Sequence, residues 1–202
     1  MNGPLIGKVI GFRGDSILAN NKLQPLVCGH VGGTLGFNVC GDGTRAAWNL
    51  DSLLAPGALA STDILVMEHG INDWQGGQVL GTIYDPASGT GSFYARLKEE
   101  YNYVFTAKPT IRVIRTTPTK TFTGGLWPDW QLTNSAGHTQ ADYANAIKEV
   151  SALYSVPVLD LFNTSNLNFK NEWLLLTDHL HWTDQLYERI AIQVASFAEA
   201  NF

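Results

Sequence analysis

Lys8-Val9-Ile10-Gly11-Phe12-Arg13-Gly14-Asp15-Ser16-Ile17 starts as an apolar run and ends in a turn. Lys8 to Phe12 reads as a buried strand. Gly14-Asp15-Ser16 is the turn chemistry that follows such a strand, and it sets a serine at the strand's mouth. The same rhythm recurs along the chain. Asp63–Met67, Thr110–Thr116 and Val156–Phe162 read as further strands, with Pro157 near the start of the last, where a missing donor is tolerated. A short strand is expected between Leu26 and Val39, blurred by its glycines.

Helical spacing fills the gaps. Phe93, Leu97, Tyr101 and Val104 share one face, as do Tyr143, Ile147, Val150 and Tyr154 behind an Asn134-Ser135 start. Leu186, Ile190, Val194 and Phe197 line the last helix, with Thr183 as its expected N-cap and Trp182 stapled against Tyr187. Strands alternating with helices predict an α/β fold, a mostly parallel sheet covered on both faces. Ligands of such sheets bind beyond the carboxyl ends of the strands, where Ser16 and Asn72 fall.

The 202 residues suit one domain, and no linker or repeat divides residues 1–202. With 45% apolar and only 15% charged residues, the composition is globular. A net charge of -5 without a basic run argues against nucleic acid and anionic membranes as partners. No apolar stretch is long enough to span a bilayer. No signal peptide is read at the start, which fits a cytoplasmic protein or a domain cut from a larger secreted or viral one. Cys28 and Cys40 match no disulfide framework or zinc pattern and are expected to be free thiols.

A serine hydroxyl reacts only when a base takes its proton and donors receive the oxyanion. Three other places supply these. In Asp178-His179-Leu180-His181, an aspartate three residues before a histidine can turn back onto the imidazole Nδ1, leaving Nε2 free for Ser16. In Gly70-Ile71-Asn72-Asp73, a side-chain amide stands at a strand end. In Asn38-Val-Cys-Gly-Asp-Gly43-Thr44, a turn opens an expected helix over Thr44–Leu54, and Gly43 lets a backbone N–H approach a substrate.

With these four blocks in order, the chain resembles the SGNH (GDSL) hydrolases. The resemblance implies a three-layer α/β/α sandwich around a five-stranded parallel sheet, flavodoxin-like in layout. It implies Ser16 as nucleophile, His181 as general base and Asp178 as its orienting partner. The Ser16 and Gly43 N–H groups and the Asn72 side chain would form the oxyanion hole, with no metal and no cofactor. The chain departs from the family pattern at Cys40 and Asp42 in the glycine block, and at Trp182 after the histidine.

Blander readings exist for each block. Ser16 could be a capping residue, Asn72 and Asp73 turn residues, Gly43 a turn glycine, and Asp178 a turn cap. His179 and His181 have a His-x-His spacing, but His30, His69 and His138 are scattered and a metal needs three or four ligands, so no metal is expected. Trp74, Trp127, Trp130 and Trp182 lie beside the blocks or on the same sheet edge and are candidate sugar contacts, with ordinary packing as the alternative. The sequence thus predicts a serine esterase for short acyl groups, acetate on a glycan above all. A lipase or thioesterase is the alternative within the enzymes, and a non-catalytic carbohydrate-binding module the alternative outside them.

Overall fold

The computed structural model describes residues 5–50, 56–88, 91–122 and 129–202. Five strands form one sheet in the order β2-β1-β3-β4-β5: β1 (Val9–Gly14), β2 (Thr34–Cys40), β3 (Ile64–Glu68), β4 (Arg112–Thr116) and β5 (Val158–Leu159). Every pairing is parallel, so the sheet is wholly and not just mostly parallel. The helices are α1 (Ser16–Ala19), α2 (Leu23–Val31), α3 (Pro56–Ala60), α4 (Ile71–Gln75), α5 (Phe93–Ala107), α6 (Gln140–Leu153), α7 (Leu161–Thr164), α8 (Glu172–Leu175) and α9 (Asp184–Asn201).

Side chains alternate across the strands, so each strand feeds two cores. Ile10, Phe12, Ile64, Val66 and Ile114 meet α2 and α9 on one face. Leu65, Met67 and Val113 meet α5 and α6 on the other. Burial dominates local propensity here. Leu186, Ile190 and Val194 are fully buried on α9, and each contributes about 2 kcal/mol, several times the helix-propensity penalty of an Ile or Val. At Gly11 an added Cβ would sit 2.5 Å from the Phe37 ring, so the β1–β2 pairing needs glycine there.

The sheet order reverses at β1, with β2 on one side and β3 on the other. That is the switch point where crossovers part and leave a crevice at the strand ends. Ser16 directly follows β1 and Asn72 follows β3, so both stand at this crevice.

Several local expectations differ from the structure. Residues 156–162 are strand only at Val158–Leu159; Asp160 ends it by taking the Lys148 ammonium and the Thr117 hydroxyl, and α7 begins at Leu161. Helix α6 starts at Gln140, behind a Thr139–Asp142 capping box. Asn134 instead builds the preceding turn, accepting from the Ala136 and His138 N–H groups. The expected helix at Thr44 is absent up to Asn49, because Ala47 and Asn49 take left-handed backbone (φ 57° and 49°); residues 51–55 lie outside the described residues. Thr183 occupies the N-cap of α9, but its hydroxyl donates to Leu174 O at 3.3 Å and not to the helix. The Trp182 staple is present, with its ring 5.2 Å from that of Tyr187.

Candidate active site

At the end of β1, Asp15 caps α1 by accepting the Ile17 N–H at 2.9 Å. This cap stops the strand and turns the chain, so Ser16 becomes the first helical residue and its hydroxyl points along the sheet's carboxyl edge. Ser16 Oγ lies 3.0 Å from His181 Nε2. His181 Nδ1 lies 2.6 Å from Asp178 Oδ2, while Asp178 Oδ1 accepts from the His181 and Leu180 N–H groups at 2.7 and 3.2 Å. Partial burial of Asp178 opposes its ionisation, but these hydrogen bonds outweigh it and hold the carboxyl below its ordinary range. The carboxylate therefore remains an acceptor, which fixes the proton on Nδ1 and leaves Nε2 as a base toward the hydroxyl.

The remaining two blocks are tied to the same point. Thr44 Oγ1 donates toward Gly14 O (3.0 Å) and Gly41 O (2.8 Å), which binds the turn after β2 to the end of β1. Gly43 has φ +68°, a left-handed conformation that suits glycine. Asn72 Nδ2 donates to Thr44 O at 3.1 Å, leaving its second amide hydrogen for another acceptor. Ser16, Gly43, Asn72 and His181 all line one open cleft of about 580 Å³. Asn20, Lys22, Asp42, Thr177 and Leu180 complete it together with the edge of Trp182. Of these, Asp42 is visible in the glycine block. Lys22 and Asn20 carry no sequence signal, because only the α1–α2 turn brings them here.

The tryptophans divide. Trp182 borders the cleft but is 4% exposed, with its Nε1 donating to Thr119 Oγ1 at 3.0 Å. Trp74 is 6% exposed, packs in the α5–α6 core and donates to His138 O, which turns it away from the cleft. Trp130 packs edge-on against Phe162, with the Lys120 ammonium 4.7 Å from its ring centre, and does not line the cleft. Trp127 lies outside the described residues. The His-x-His pair also splits: His181 faces Ser16, while His179 Nδ1 is 3.0 Å from Glu172 Oε2. Among the described residues, no three His, Cys, Asp or Glu side chains are grouped to hold a metal ion, and no helix is long and apolar enough to cross a membrane.

Beneath the site lies a second set of ionisable groups that the sequence did not reveal. Burial and the Glu68 carboxylate raise the Asp15 carboxyl well above its ordinary range; burial also raises Glu68. Burial, with Glu68 and Asp15 nearby, pushes the Cys40 thiol up, so it stays protonated and is no rival nucleophile. Deeper still, Glu100 bonds Arg13 Nε (3.1 Å) and Arg115 Nη1 (2.7 Å) and touches His69 Nδ1 (3.3 Å). Burial opposes the Glu100 charge, yet Arg115 and its neighbours hold its carboxyl well below the usual range. Burial lowers His69 to about 4, so its imidazole is neutral.

The model of the GDSL-like lipase/acylhydrolase family matches residues 13–189. The chain belongs to that family. Its α/β architecture is the SGNH hydrolase fold. A protein from Lactobacillus plantarum superposes with a TM-score of 0.83 at 23% identity, covering 98% of this chain and 99% of its own. An acetyl xylan esterase superposes with a TM-score of 0.65 at 19% identity, covering 93% and 98%. An acetyl-xylooligosaccharide esterase from Geobacillus gives 0.63 at 18% identity, covering 100% and 97%. No curated protein matches the chain. Family membership and these esterase neighbours support an ester-hydrolysing enzyme.

Proposed function

We propose that this GDSL-family chain is a serine esterase that removes short acyl groups, acetate above all, from a carbohydrate. The single observation behind the mechanism is the chain of contacts from Ser16 Oγ through His181 to Asp178, at 3.0 and 2.6 Å, in a cleft open to solvent. In this reading His181 Nε2 takes the Ser16 proton as Oγ bonds to the ester carbonyl carbon. The carbonyl electron pair moves to oxygen, and the Ser16 and Gly43 N–H groups with Asn72 Nδ2 receive that charge. Collapse breaks the bond to the alcohol, which leaves with the proton held by His181. Water then gives a proton to His181 as its oxygen bonds to the acyl carbon; the bond to Ser16 Oγ breaks, His181 returns the proton to Oγ, and the acid leaves.

The substrate class rests on the cleft wall. Asn20, Lys22, Asp42, Asn72 and Thr177 bring polar groups to it, which suits a hydroxylated leaving group. Among the described lining residues, Leu180 and Trp182 bring apolar side chains, which suit a short acyl chain. The acetyl-glycan esterases among the structural neighbours point the same way. The cleft's larger apolar share of surface favours a second reading, hydrolysis of longer acyl esters or thioesters.

Acetate release from acetylated xylan, set beside p-nitrophenyl esters of increasing chain length, tests the choice. Acetate release with activity falling beyond butyrate is expected. Turnover of long-chain esters alone would overturn the carbohydrate reading. Fluorophosphonate labelling of Ser16, abolished in Ser16→Ala, separates an enzyme from an idle binding module.

A further inference from the structure

We propose that Glu172 and His179 form a strap that positions the catalytic base loop, an inference that rests on the esterase reading of Ser16 and His181. The loop from Thr177 to His181 is a tight reversal. Leu176 bridges Trp182, Thr177 N donates to His181 O at 2.8 Å, and Asp178 Oδ1 caps two N–H groups from inside. Such a reversal needs one residue in left-handed backbone, and that residue is His179, with φ +68°. Glycine takes this conformation without a steric penalty; a histidine does not. A strained residue persists where its surroundings hold it, and its side chain is the place to look for the compensation.

His179 is held from two directions. Its carbonyl accepts the Phe122 N–H at 2.9 Å. Its ring Nδ1 donates to Glu172 Oε2 at 3.0 Å, with the histidine side chain 48% and the glutamate 18% exposed. Glu172 opens α8, so the strap ties the base loop to a helix outside the turn. His179 sits between Asp178 and His181, and a shift of its backbone moves both the carboxylate and the imidazole relative to Ser16. Its ring does not line the cleft. Both residues therefore act through His181 as positioning residues, and neither touches substrate.

The test is a double-mutant cycle on kcat and KM with p-nitrophenyl acetate, using His179→Gly, Glu172→Ala and the pair. Glycine keeps the left-handed turn while removing the handle, so the loop still folds. Each single variant should lose kcat by roughly 5- to 50-fold, below the about 10²-fold that a 1 Å misplacement of a catalytic group costs, with KM nearly unchanged. The double variant should lose no more than the worse single one, and Glu172→Gln, which keeps an acceptor for the ring, should recover most of the rate. Full kcat in His179→Gly, or losses that multiply in the double variant, would overturn the strap. Ser16→Ala runs alongside: if it stays active, the esterase reading itself fails and the strap has no base to position. If it is inactive and the cycle shows no coupling, only the strap fails.

Discussion

Two groups of ionisable side chains stand on the same sheet edge and live by opposite physics. Asp178 and His181 are 55% and 37% exposed, contact each other within one short loop, and reach Ser16 from outside. Arg13, Glu100, His69 and Arg115 are all wholly buried and come from three strand ends and a helix. Water screens the first pair, so its worth to stability is small and its worth lies in geometry. The buried group has no such screening. Its charges persist only because Glu100 bonds both guanidiniums at once, and losing that one partner leaves two cations in the core. One region is replaceable for folding and indispensable for the proposed chemistry; the other is the reverse.

The comparison breaks most visibly at Asp178. Asp178→Asn should lower kcat by roughly 10³–10⁴-fold, since an amide no longer fixes the proton on Nδ1. Its melting temperature should stay within a few degrees of the parent. A variant that loses stability instead would make Asp178 a structural turn cap. Next comes Glu100→Ala, expected to cost about 3–5 kcal/mol in denaturant unfolding, the usual price of an orphaned buried charge. Any fraction that remains folded should retain near-parental kcat. Third, Asn72→Ala should lose about 10²–10³-fold in kcat, as removal of one oxyanion donor does. Full activity in Asn72→Ala would remove that donor from the mechanism.

The same contrast explains what could be read from the sequence. Asp178 and His181 are three residues apart, so their contact is a local matter of turn chemistry and is legible as a motif. Ser16, Gly43 and Asn72 are far apart in sequence, but each follows a strand, and a parallel sheet puts all strand ends on one edge. Glu100 is 87 residues from Arg13. It sits on the apolar face of α5 where a carboxylate is least expected, and neither periodicity nor spacing flags it. Trp74 misled for a related reason. Proximity in sequence to Asn72 placed Trp74 near the site, but on α4 it follows the helix turn into the core, where its N–H finds His138 O. The loss of helix from Thr44 to Asn49 comes from left-handed backbone at Ala47 and Asn49, and the late start at Gln140 from Asn134 and Asp142 side chains bonding to nearby backbone, which local composition does not resolve.

The smallest effect sharpens the comparison between neighbours on α4. Asn72 faces the cleft, while Asp73 beside it is buried, accepts the Ala46 N–H at 3.2 Å and is pushed up to about 7, chiefly by burial. An unfolded aspartate releases its proton near 3.8, so between about 4 and 7 the folded chain holds a proton that the unfolded chain has lost. Stability contributed by Asp73 is therefore full below that window and falls as pH rises through it. His69 slopes the other way: its folded value is about 4 against an ordinary 6.5, so its contribution falls as pH drops through that interval. Asp73→Asn keeps an acceptor for Ala46 and removes the ionisation. Thermal melts of the two proteins should coincide near pH 4 and part as pH rises, with the variant several degrees higher at pH 8. The acidic limb, to which His69 and the lowered Glu100 contribute, should be unchanged, and Asp15 and Glu68, raised by the same burial, should leave part of the alkaline decline in place. Equal melting temperatures at pH 8 would mean that Asp73 ionises in the folded chain without penalty, and that the buried side of α4 is wetter than its packing implies.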